Sequence, residues 1–134
     1  MKYLILFSFF IFLLFSCKQS RVKQSFSPTD SLVIHFKNEQ AGIITKTIQT
    51  TESKAIIKMI DFIDGKATEN FKCGYDGKIF FYSKTFQIQE VDFKMSDEAC
   101  NHFAFLIDGK PVSTKMKTET VDFLDALKKG IPYY

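Results

Sequence analysis

Hydrophobic positions along this chain change period from segment to segment. Over 32–37 Leu32, Ile34 and Phe36 alternate with Val33, His35 and Lys37, which predicts a half-buried strand. Turn residues fill 38–42, and a Thr- and Ile-rich second strand over 43–50 completes a predicted antiparallel hairpin. At 78–83 both parities are apolar, Ile79 and Phe81 against Phe80 and Tyr82, so this strand is expected in the middle of a sheet. The stretch 86–95 changes phase: Phe86 and Ile88 share one parity, Val91, Phe93 and Met95 the other. A strand keeping one apolar face must absorb an extra residue, which predicts a bulge near Gln89-Glu90. Alternation returns over 102–107, and Asp108-Gly109 signals a hairpin into a last strand over 111–116, placed at an edge by Pro111.

Two stretches have helical spacing instead. Ile56, Met59, Ile60 and Ile63, widened by Ile57, predict a helix over 52–63 with Thr51 as cap and Gly65 as left-handed stop. Val121, Leu124 and Leu127, with Phe123 beside them, predict a second. Thr118 is its cap, Glu119 and Asp122 lie near its positive end, and Lys128-Lys129 precede Gly130 at its negative end. The order ββαββββα implies an α+β fold, an antiparallel sheet of about six strands with two helices on one face. The other face is then partly open, holding His102, Leu106 and one of Phe80 and Phe81. Asp-Gly-Lys occurs at 64–66, 76–78 and 108–110 with different flanks, which suggests reused turn chemistry and not a repeat.

Residues 3–15 form an apolar run broken only by Ser8, preceded by Lys2 and followed by Cys17 and the polar stretch 18–21. The run is too short to span a bilayer and has the form of a signal-peptide core. Leu14-Phe15-Ser16-Cys17 resembles the lipobox of bacterial lipoproteins, with a branched apolar residue three before the cysteine and a small one just before it. The resemblance covers residues 1–17 alone. It implies that residues 1–16 are removed, that Cys17 receives a diacylglyceryl group and that the new amino terminus takes a palmitate-type acyl chain. Two or three such chains hold a domain at a membrane almost permanently, since each buried methylene contributes about 0.8 kcal/mol. Residue 18 is Lys rather than an inner-membrane retention aspartate, and 18–21 lacks an acidic run, so the expected location is the outer membrane, facing the periplasm. The expected organisation is a signal over 1–16, a lipidated cysteine with a flexible polar tether over 17–30, and one domain over 31–134.

Removal of 1–16 leaves 118 residues and eleven of the 16 Phe, enough for an independent core. Eighteen Lys and Arg against 15 Asp and Glu, with no basic cluster interleaved with aromatics, give no case for nucleic acid. With Cys17 assigned to lipid, Cys73 and Cys100 remain as an even pair in an oxidising compartment and are expected to form a disulfide.

Candidate chemistry is sparse. Cys100 and His102 are two apart on one strand face, without the third group that orients a nucleophile and its base. His35, His102, Cys73 and Cys100 lack metal-site spacing, so neither metal nor cofactor is expected. Asp92, Asp97 and Glu98 could be read as an acid pair, but nothing beside them positions a sugar. Phosphate loops and Gly-x-Ser-x-Gly are missing from the sequence. The aromatic set Tyr75, Phe80, Phe81, Tyr82 and Tyr133-Tyr134, with His102 and Leu106, could form a recognition surface. The expectation is a non-catalytic, lipid-anchored envelope domain that binds a protein partner or envelope component. The alternatives are an inhibitor or immunity-type protein, and an envelope hydrolase using Asp97, Glu98 or His102.

Overall fold

The strand apolar on both faces does lie in the middle of the molecule. In the structure, a computed structural model that describes residues 19–38 and 40–131, six strands form one antiparallel sheet in the order β2-β1-β3-β4-β5-β6. The strands are β1 (Ser31–Lys37), β2 (Ile44–Thr50), β3 (Gly77–Ser83), β4 (Phe86–Lys94), β5 (His102–Ile107) and β6 (Lys110–Lys115). Between β2 and β3 comes a helix over Ser53–Ile63, and after β6 another over Thr118–Lys129, so ββαββββα holds across 31–131.

A third helix precedes them. Arg21–Phe26 is helical, capped by the Ser20 hydroxyl accepting from the Lys23 amide, where the polar composition suggested only a tether. Phe26 explains the difference. It is fully buried, edge-on to Phe81 and Phe105 at centroid distances of 4.7 and 5.7 Å. Burying a phenylalanine contributes about 2 kcal/mol, with about 1 more for each edge-on pair, which is enough to order a short polar segment. Packed structure therefore extends upstream of residue 31, at least as far as Ser20. We name the helices α1 (Arg21–Phe26), α2 (Ser53–Ile63) and α3 (Thr118–Lys129) in chain order.

All three cover the same sheet face. Leu32, Ile34 and Phe36 from β1, Ile79 and Phe81 from β3, Val91 and Phe93 from β4, and Phe103 and Phe105 from β5 pack with Phe26, Met59, Ile63 and Leu124. Ile57 points away from this core and is 59% exposed, so the α2 stripe is narrower than its spacing suggested. Glu52, not Thr51, occupies the cap position of α2, with its amide held by the Thr50 hydroxyl. Gly65 is not left-handed; Asp64 ends α2, and Gly65 lets the chain approach β6, since a Cβ there would lie 2.8 Å from the Lys115 carbonyl oxygen. Lys117 takes the cap position of α3 in place of Thr118, and Gly130 ends it in the left-handed conformation.

The β3–β4 ladder shifts register as expected, but one residue early. Phe81 pairs with Gln89 and Tyr82 with Gln87, which makes Ile88 the extra residue. β6 is one of the two edge strands, and its outer side is partly satisfied by 66–68: Thr68 donates to the Ser113 carbonyl and Lys115 to that of Lys66. That pairing lays 66–76 back across the second face of the sheet.

Candidate functional site

Antiparallel pairing sorts the second face into rows. Val33 faces Phe80 and Glu90, His35 faces Lys78 and Asp92, and Ala104 and Leu106 continue the rows onto β5. No helix among the described residues covers these side chains, and the coverage supplied by 66–76 reaches only their β4–β6 end.

There the covering segment is fixed in three ways. Cys73 is disulfide-bonded to Cys100, with 6.3 Å between their Cα atoms, as the cysteine count predicted. The Asp76 carboxylate accepts from the amides of Met95 and Ser96 at 2.7 and 2.8 Å and from the Ser96 hydroxyl at 3.0 Å. Lys94, buried like Asp76, brings its ammonium to 3.5 Å. Burial alone would raise the Asp76 carboxyl, but the two amides, the hydroxyl and Lys94 together hold it below the ordinary aspartate range. Asp76-Gly77 is thus no tight turn. Gly77 begins β3, where a Cβ would lie 2.3 Å from both the His35 carbonyl oxygen and the Phe93 ring.

His102 lies beneath this segment. It shares the second face, as its parity predicted, but it is fully buried and so contributes no surface. Phe71 and Tyr75 cover its ring at 5.4 and 5.8 Å. Its Nδ1 is 2.6 Å from the Cys100 carbonyl oxygen, which can only accept, so Nδ1 carries the proton. Nε2 has no hydrogen-bond partner among the described residues.

Beside Tyr75 the face forms a cleft of about 480 Å³. Tyr75 and Asn70 stand on one side, their side chains joined by a 3.3 Å hydrogen bond; Leu106, Ala104 and Pro111 form the apolar part, and Glu90 and Asp92 the acidic part. Lys78 balances the acids, 2.9 Å from Glu90 and 3.5 Å from Asp92. Burial alone would lower the Lys78 ammonium, but the Glu90 bond and the two carboxylates raise it, and the same bond lowers the Glu90 carboxyl. The Tyr75 hydroxyl is raised, first by burial and then by Asp92. Leu106 is 55% exposed here, a large apolar side chain facing solvent within a concave surface.

Of the residues expected to form a recognition surface, Tyr75 and Leu106 line this cleft. Phe80 and Tyr82 share the face on β3 but stand outside the cleft, half-buried; Phe80 packs edge-on to His35 at 5.2 Å. Phe81 belongs to the helix-covered core. Asn70, Glu90 and Lys78 were not singled out from sequence and Pro111 only as an edge signal, although the parity of β4 already places Glu90 with Asp92. Asp92 pairs with Lys78, whereas Asp97 accepts from the Ala99 amide in the turn before β5, so the two serve separate local roles. Asp97 also approaches the disulfide, its carboxylate and the two sulfurs lying within 4.8 Å of one another. Sulfurs joined to each other offer no thiolate to a metal.

Residues 1–18 and 132–134, with Cys17 and Tyr133-Tyr134, lie outside the described residues. No helix among the described residues is long and apolar enough to cross a membrane. Comparison with protein-family models, with curated proteins and with solved structures gave no match.

Proposed function

We propose that this protein is a non-catalytic binding module of the bacterial cell envelope, anchored by lipid at Cys17 to the outer membrane on its periplasmic side, that engages a protein partner through its uncovered sheet face. The observation that carries the binding role is the cleft beside Tyr75. An exposed Leu106 is flanked there by an aromatic ring, an amide and two carboxylates, beside a covering segment that a disulfide and a buried ion pair hold to the same face. Aromatic anchors on rigid support lose little entropy on binding.

The anchor reading rests on the lipobox-like residues. Because Ser20 already caps a packed helix, only two residues, Lys18 and Gln19, would separate the lipidated cysteine from it, a reach of about 10 Å. The module would be held against the bilayer rather than on a long tether, which restricts the partners it can meet to those at the membrane surface.

The test uses the full chain in its native membrane with a photo-crosslinking residue at position 106. A partner captured there, and lost when Tyr75→Ala is added, supports the reading. Crosslinks equally strong from position 57, on the far side of the molecule, would count against it. Independently, Cys17→Ser should release the protein from the membrane fraction and abolish incorporation of labelled palmitate.

A further inference from the structure

The helix-covered side carries a second concavity. α2 and α3 are in contact where Phe62 meets Phe123, at 5.4 Å between centroids, and farther along they flank a cleft of about 310 Å³ over β1 and β2. Leu32, Ile34 and Ile48 form its floor, Met59 and Leu127 its walls, and Ile131 its rim. Ile131 is fixed there by the end of α3, its amide donating to the Ala126 carbonyl, yet it is 53% exposed. Leu32, Ile34 and Met59 are at most 2% exposed, so the floor lies below the surface, out of reach of a flat bilayer.

The mouth carries cations. Lys54 and Lys58 line it, and Lys46 has its ammonium beside Gly130, 3.1 Å from where a Cβ would stand. Lys58 is held in place by Glu119 at 3.9 Å and by the rings of Phe62 and Phe123 at 5.5 and 5.4 Å. Glu52 also lines the mouth, so among the described residues that line it the ammonium groups of Lys54 and Lys58 stand against one carboxylate, with Lys46 and Glu119 at its margin. A narrow apolar slot under a net positive mouth is complementary to a thin apolar chain ending in an anion. At about 30 Å³ for each water-sized group, the volume takes roughly ten methylenes. We infer that this cleft binds a single-chain anionic amphiphile, a medium-chain fatty carboxylate of about ten carbons, with the chain over Leu32 and Ile34 and the carboxylate at Lys54 and Lys58. The site is on the opposite side of the sheet from the cleft beside Tyr75, and does not depend on that cleft's role.

The probe is decanoate bearing a terminal diazirine, photo-crosslinked to membranes carrying the full chain and mapped by mass spectrometry of the peptides. Labelling is expected within 48–59 and 123–131, displaced by decanoate but not by decanol or decylamine. Ala55→Trp, which fills the slot, and Ile131→Trp, which blocks it from an exposed rim and cannot disturb the core, should each reduce labelling about tenfold. Lys54→Glu with Lys58→Glu should weaken displacement by decanoate to a similar degree. Equal displacement by decylamine, unchanged labelling in both tryptophan variants, or label confined to other surfaces would overturn the assignment. So would labelling that appears only after deletion of 132–134, which would make the chain's own end the occupant. Labelling that appears only at the dilution where a dimer of the chain dissociates would make a second copy the occupant, and would overturn it too.

Discussion

The two faces of the sheet are built on different physics. The face under the helices is apolar and continuous, with Phe81, Phe93 and Phe103 fully buried among side chains that any compact arrangement of the same pattern would bring together. Toward β4–β6 the second face is covered by a segment of little apolar content, held by a disulfide, a buried ion pair and the edge-on and tilted packing of Phe71 and Tyr75 against His102. The first arrangement tolerates change in detail because area is what counts. The second depends on a few specific bonds, and those bonds leave a shaped cleft beside them.

Adjacent residues of β3 test the contrast most strongly. Phe81→Ala should cost about 4 kcal/mol in a denaturant titration, the usual loss for a buried phenylalanine, whereas Phe80→Ala on the other face should cost about 1. Equal losses would mean that the second face is packed like a core. Removal of the disulfide by Cys73→Ala with Cys100→Ala comes next. The bond closes a loop across 27 positions, and restricting such a loop in the unfolded chain contributes about 3.5 kcal/mol. The folded variant should keep its far-ultraviolet circular dichroism while 66–76 becomes protease-sensitive. A cut in α2 or α3 instead would show that the two faces are not separately secured.

Asp76 supplies an intermediate effect with a pH signature. Asp76→Asn removes the carboxylate charge that the Met95 and Ser96 amides and the buried Lys94 ammonium all face, and should cost about 3 kcal/mol near neutrality. In the native protein the carboxyl is held below its unfolded value. Its contribution is therefore complete above the unfolded value of about 3.9 and is lost as pH falls through the lowered folded one. Stability of the native protein should fall over that acid range, while the variant's profile is flatter there. Parallel profiles would remove the pair from its bracing role.

What the sequence disclosed follows the same division. Period and parity found every strand and both long helices, because the covered face is an area effect and area is written in alternation. They failed where one contact decides. The polar segment before β1 became α1 through the single side chain of Phe26. Three identical Asp-Gly-Lys triplets met three fates. Asp108-Gly109 makes the hairpin with both residues left-handed, Gly77 is a glycine because β1 and Phe93 crowd it, and Gly65 because β6 does. The turn at Lys84-Thr85 is left-handed at both residues with no glycine to announce it, held in part by the Asp30 carboxylate accepting from the Lys84 amide. Tyr75 was found by residue type and Leu106 by parity, but their companion Asn70 lies in a connection whose path is set by pairing with β6, which no local pattern encodes. His102 was assigned to the right face and the wrong depth, since its cover comes from that same connection.

The smallest stability effect separates the faces most sharply in function. Leu106 is 55% exposed on β5, and its neighbour Phe105 is buried against Phe26. Leu106→Ser removes apolar surface that already faces water, so the midpoint of denaturation should move by no more than about 0.5 kcal/mol in equivalent stability. If the cleft beside Tyr75 is where a partner sits, the same change leaves a hydroxyl against a surface shaped for a branched apolar group, and capture of that partner should fall about tenfold or more. Stability retained with binding lost would identify Leu106 as a side chain kept exposed for contact. Stability lost with binding intact would place it in the fold instead, and the second face would then be a core that lacks only its cover.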